Sequence, residues 1–209
     1  MQWERLLAAA CLGVLLPAHG QDAMPRQPVA TGALVEQVCA ACHGVDGKAS
    51  RPDVPLLAGQ TAPYLERQLR AFAAQGGQRE NGVMGAIAVN LSSDEIRRVS
   101  LHYARQTLPA APPVAAPPPS RDAGERIFTA GLPGKGVASC ASCHGVRGEG
   151  LPDLFPRLAG QHAGYLREQL RNFRAGRRTS DPGAMMRALA ARMTDRDIDA
   201  VARYASLLK

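Results

Sequence analysis

The chain has 209 residues, a formal charge of +7, 4% aromatic side chains and five cysteines. That length suits one medium domain or two small ones, and two small domains with so few aromatics bury little core of their own. The charge is lopsided: residues 121–209 hold 15 Lys and Arg against 9 Asp and Glu, whereas residues 21–108 hold 9 against 8. With no dense basic run and no aromatic platform this argues against nucleic acid as a partner, and it leaves a basic C-terminal half suited to an acidic protein surface.

Residues 1–20 read as an export signal. Arg5 precedes a short apolar run, Leu6 to Leu16, and Ala18-His19-Gly20 places small residues at the cleavage site. The run is too short to stay in a bilayer as an anchor. The mature chain is thus expected in the periplasm, where its arginines also suit peripheral contact with a membrane surface. Cys11 falls inside the signal, so the mature chain keeps four cysteines and no expected disulfide.

Those four form Cys39-Ala40-Ala41-Cys42-His43 and Cys140-Ala141-Ser142-Cys143-His144. Cys-x-x-Cys-His is the attachment signature of a c-type haem. Thiols at i and i+3 share one helical face, as two vinyl groups on one porphyrin edge require, and the next residue offers an imidazole to iron. A four-thiolate zinc site and a thioredoxin-like pair are the other chemistries of such spacing.

In chain order, residues 29–43 read as a first helix leading into Cys39. Gly44 and Gly47 let the chain turn away after His43. Residues 62–74 form a second helix, with Pro63 in its first turn and Leu65, Leu69 and Phe72 on one face. A glycine-rich loop from Gly76 to Gly85 carries Met84. A third helix runs from a capping box at Ser92 and Glu95 to about Gln106. Residues 109–120, mostly proline and alanine, form a semi-rigid connector. The divisions are thus 1–20 signal, 21–108 first domain, 109–120 linker and 121–209 second domain.

The first half then repeats at an offset of 101 residues. Pro55-x-Leu57-Ala58-Gly59-Gln60 becomes Pro156-x-Leu158-Ala159-Gly160-Gln161, and Tyr64-Leu65-x-x-Gln68-Leu69-Arg70 becomes Tyr165-Leu166-x-x-Gln169-Leu170-Arg171. Met84 matches Met186 after one inserted residue, and Thr194 with Asp197 repeats the capping pair. Two copies mean tandem domains rather than a solenoid.

Haem iron needs a second axial ligand, and a thioether there closes the site and favours electron transfer. Met84 and Met186 occupy matching places and are the expected ligands, with Met185 the competing neighbour; Met193 aligns with Leu91 and reads as core. Pro55 and Pro156 each follow a motif histidine by 12 residues. Their carbonyls could hold its second ring nitrogen, or the prolines could simply make turns. Gln60, Tyr64, Gln161 and Tyr165 suit haem propionates or helix packing equally well. His102 and His162 have no counterparts and read as surface residues.

The doubled Cys-Ala-x-Cys-His-Gly-x-x-Gly, Leu-Ala-Gly-Gln and Tyr-Leu-x-x-Gln-Leu segments, with Met186 ahead of Leu189-Ala190, resemble the cytochrome c4 family over nearly the whole mature chain. The resemblance implies an all-α protein of two class I cytochrome c domains with two covalent haem c groups. Cys39, Cys42, Cys140 and Cys143 are then the attachment points and His43, Met84, His144 and Met186 the iron ligands. It also implies a non-enzymatic electron carrier working between a respiratory complex or dehydrogenase and a terminal oxidase. A haem subunit of a periplasmic dehydrogenase is the second reading. A dihaem peroxidase is the third, and the matched methionines argue against it.

Overall fold

The computed structural model describes residues 29–74, 78–108, 120–151 and 153–209. The export signal with Cys11, Met24, and linker residues 109–119 lie outside the described residues. Among those described the protein is helical, and pairing between extended segments is limited to isolated bridges.

In the first half α1 (Thr31–Leu34) passes through a π-helical turn (Val35–Cys39) into α2 (Ala40–His43), with every junction in the right-handed helical region. The expected first helix is therefore continuous, and its one wide turn ends on Cys39. Gly44, at φ 72°, stops it, a conformation that costs a side-chain-bearing residue about 1 kcal/mol or more. Helix α3 (Ala62–Ala73) starts on its proline and buries Leu65, Gln68 and Ala71. Helix α5 (Ser93–Ala104) has the expected capping box: the Glu95 N–H donates to Ser92 Oγ at 3.2 Å and the Ser92 N–H to Glu95 Oε2 at 2.8 Å.

The second half builds α6 (Ser120–Ala130), α7 (Ala141–His144), α8 (Ala163–Arg174), α9 (Met185–Ala190) and α10 (Asp195–Leu207). Its second motif is reached differently. Gly131, at φ 75°, ends α6, and a small loop closed by paired Leu132 and Val137 backbones comes before α7. The Thr194–Asp197 capping box opens α10 as expected.

One expectation fails. The segment around Met84 is a helix, α4 (Gly82–Ala88), not a loop. Asn81 caps it, its Oδ1 accepting the Met84 N–H at 3.0 Å, and a cap supplies about 1 kcal/mol. That offsets the helix-weakening of Gly82 and Gly85.

Helix α10 packs on α6 and α8, and α3 packs on α5 and α4. The second core gathers Ile127, Phe128, Leu166, Met193, Ile198, Val201 and Tyr204. The first is smaller: Leu34, Val35, Leu65, Val99 and Tyr103. Met193 is 6% exposed, as its match to Leu91 suggested.

Candidate functional site

Both Cys-x-x-Cys-His motifs are helical, so the two thiols of each sit one turn apart, with the histidine closing the helix. The pairs do not combine. Among the described residues no three His, Cys, Asp or Glu side chains gather around one point, so a four-thiolate zinc site has no geometry here. Burial raises the Cys39 thiol, and it pushes Cys140 up to about 11.

His43 and His144 are buried. Nδ1 of His43 lies 3.1 Å from the Pro55 carbonyl and Nδ1 of His144 2.9 Å from the Pro156 carbonyl. A carbonyl can only accept, so Nδ1 carries the proton and Nε2 carries the lone pair. Burial lowers both imidazoles' pKa, against the smaller opposing effect of the proline carbonyls. The sequence left these prolines between a turn role and a histidine-orienting role; in both halves they orient the histidine.

Met84 lies in the first turn of α4 and is half-buried. Met185 is 43% exposed, whereas Met186 is half-buried. Ahead of them Ala184 takes φ 57°, uncommon for a residue with a side chain.

Of the paired polar residues, Gln60 and Gln161 have a place that neither expectation gave. Gln60 Nε2 donates to the Arg157 carbonyl at 3.0 Å, and its Oε1 accepts the Arg157 N–H at 3.0 Å. Gln161 treats Leu56 the same way, at 2.9 Å for both bonds. Since residue 56 corresponds to 157 in the repeat, the two halves meet by a pseudo-twofold exchange. Both amides are thus spent on the opposite backbone rather than left for a cofactor. His162 joins this interface, with Nε2 2.9 Å from the Ala49 carbonyl, and His102 lies 2.8 Å from the Val45 carbonyl; neither is a plain surface residue.

Sequence reasoning passed over Arg79 and Arg178. Each is buried, with its guanidinium 4.4 Å above the ring centre of its own half's phenylalanine, Phe72 or Phe173. Arg79 donates to Gln68 and Gln169 at 3.0 Å and to the Tyr165 hydroxyl. Arg178 donates to Tyr64, Gln68 and Gln169, all at 2.9 Å. Among the described residues neither arginine is ion-paired with a carboxylate; Asp181 gives its oxygens to Arg187. Burial lowers the pKa of Arg79; at Arg178 burial is outweighed by Tyr64 and Tyr165, with the Asp181 carboxylate adding to the rise.

The cytochrome c family model matches residues 29–102 and 122–208. Cytochrome c4 of Thiocapsa roseopersicina is 39% identical over 188 residues, which cover 88% of this chain and 95% of that one. The chain belongs to the cytochrome c4 family. The crystal structure of reduced recombinant cytochrome c4 from Pseudomonas stutzeri superposes with a TM-score of 0.77 at 34% identity, over 86% of this chain and 99% of that one. A thiosulfate dehydrogenase electron acceptor from Thiomonas intermedia (strain K12) is 36% identical over 203 residues, covering 96% of this chain and 89% of that one. As a member of that family the chain is a dihaem electron-transfer protein with covalently bound haem c. Among the described residues no helix is long and apolar enough to cross a membrane.

Proposed function

We propose that the chain is a periplasmic electron carrier in which Cys39 and Cys42 hold one haem and Cys140 and Cys143 the other. His43 and Met84 would hold the first iron, and His144 and Met186 the second. The observation that carries this is the doubled histidine arrangement: a buried ring beside a thiol pair, locked by a proline carbonyl so that only Nε2 can face a metal. Met186 is preferred to Met185 because the latter turns outward.

The residues present fit the group. Arg79 and Arg178 are buried guanidiniums hydrogen-bonded to neutral groups, with Asp181 the carboxylate acting on Arg178 at longer range; the two carboxylates a haem brings would add counter-charge. Each haem, when bound, supplies a one-electron iron couple. The chain's own part is to fix the histidine, to supply a thioether that keeps the iron closed to substrates, and to keep water from the ring.

The carrier takes electrons from a respiratory complex or dehydrogenase and delivers them toward a terminal oxidase. The second reading, a dedicated acceptor for a periplasmic dehydrogenase, is favoured by the similarity to a thiosulfate dehydrogenase electron acceptor.

The test is the spectrum of protein expressed with its export signal. Two covalent haems per chain are expected, with the weak far-red band of oxidised histidine–methionine iron. Met84→Ala and Met186→Ala should each remove about half of that band, as one thioether serves each iron. A high-spin spectrum in the unaltered protein would overturn the ligand assignment. Electron uptake from purified thiosulfate dehydrogenase, compared with oxidation by a terminal oxidase, separates the two roles.

A further inference from the structure

The Pro55 carbonyl that accepts from His43 and the N–H of Leu56 are two ends of one planar peptide unit. The first end faces the histidine at 3.1 Å. The second donates to Oε1 of Gln161, from the other half, at 2.9 Å. The arrangement recurs: the Pro156 carbonyl meets His144 at 2.9 Å, and the N–H of the same peptide unit, that of Arg157, meets Gln60 at 3.0 Å. Each glutamine is itself held, since its Oε1 also accepts the next residue's N–H at 3.0 Å. Gln60 and Gln161 are both 7% exposed, so water does not compete for these bonds.

We infer that Gln161 is a positioning residue for His43 and Gln60 for His144, each acting across the interface on the histidine of the opposite domain. Two effects follow from the shared peptide unit. The amide oxygen fixes the plane in which the proline carbonyl points, and so the rotation of the imidazole it holds. It also polarises that carbonyl, because hydrogen bonds in series strengthen one another. A better acceptor at Nδ1 makes the histidine a stronger electron donor to a metal. That favours the oxidised iron and keeps the potential low. Docking of the domains is thereby written into the potential of each haem.

The inference rests on His43 and His144 being iron ligands. Its test uses the full-length dihaem protein with Gln161→Met and Gln60→Met, which keep volume and remove the amide. Two readouts are taken: the two reduction potentials, and proton exchange at each histidine Nδ1–H by NMR of the reduced protein. Gln161→Met should raise the potential of the first-domain haem and speed exchange at His43 about tenfold, the scale of one lost hydrogen bond, leaving His144 unchanged. Gln60→Met should do the mirror image. Changes confined to the substituted domain, or none in either, would overturn the inference while the haem count and far-red band still upheld the ligand assignment. Absence of that band in the unaltered protein would overturn both.

Discussion

Two helical glycines make opposite predictions for the same substitution. An alanine Cβ at Gly124 on α6 would lie 2.3 Å from the Ala200 carbonyl oxygen, 2.7 Å from Tyr204 Cβ and 3.0 Å from the Ala200 carbonyl carbon, all on α10. Carbon and oxygen tolerate about 3.3 Å, so the helices must part by about 1 Å. Two of these contacts are backbone, and no rotamer change relieves them. Overpacking of this kind costs about 1–3 kcal/mol, and the crossing holds the core residues Phe128, Ile198 and Val201, which places it toward the upper end. The helix propensity of alanine over glycine returns about 1 kcal/mol. The net is a loss of roughly 1–2 kcal/mol, a fall of about 5–10 °C in the midpoint of a domain this size. At Gly32 on α1 nothing lies within 4 Å of the added carbon. There only the propensity term acts, and the change is neutral or stabilising by up to about 1 kcal/mol. Melting of the oxidised holoprotein, followed by helical circular dichroism and by the far-red band, gives both midpoints. Gly124→Ala melting at or above the parent temperature would refute the packing argument.

Two further predictions follow. Burial would raise the Asp197 carboxyl, but Lys135 and the Thr194 N–H and O–H outweigh it and hold the group below its usual 3.8. A depressed carboxyl stabilises fully above that value and is lost as pH falls through the folded pKa. The midpoint difference between pH 7 and pH 3 should therefore shrink in Asp197→Asn; an unchanged difference would remove Asp197 from the acid response. For the buried cation pair, Arg79→Met with Arg178→Met removes positive charge that favours the reduced, less positive iron. Both potentials should fall in spectroelectrochemical titration, and unaltered potentials would show that the pair's charge is balanced without the haems.

What sequence made visible was whatever a constant offset or a local rule could carry. The 101-residue repeat matched Pro55 to Pro156 and Gln60 to Gln161, and local chemistry placed the caps at Ser92 and Thr194. The Met84 helix was hidden because two glycines masked an Asn81 cap. His162 read as a surface residue because its partner, the Ala49 carbonyl, belongs to the other half. The roles of Gln60 and Gln161 were misjudged for the same reason: pairing across an interface leaves no periodicity along the chain.

Arg79 and Arg178 show the limit most clearly. Arg79 stands seven residues after Phe72, and Arg178 five after Phe173, so no single offset aligns them. Yet each lies over its own phenylalanine at the same 4.4 Å and bonds the other half's tyrosine and glutamine. The two loops differ in length on both sides of the arginine and still deliver it to one place, which implies that the interface, rather than the repeat, sets its position. An interface in which each half supplies the same groups to the other is the isologous pattern of a twofold dimer, here within one chain. Alone, the first half would lose the Gln161 acceptor of the Leu56 N–H and the Tyr165 and Gln169 partners of Arg79 and turn those groups to water, giving up the net contribution of each bond, about 0.5–1.5 kcal/mol. The working unit is the pair of domains, and its histidines and its cations are shared property of both.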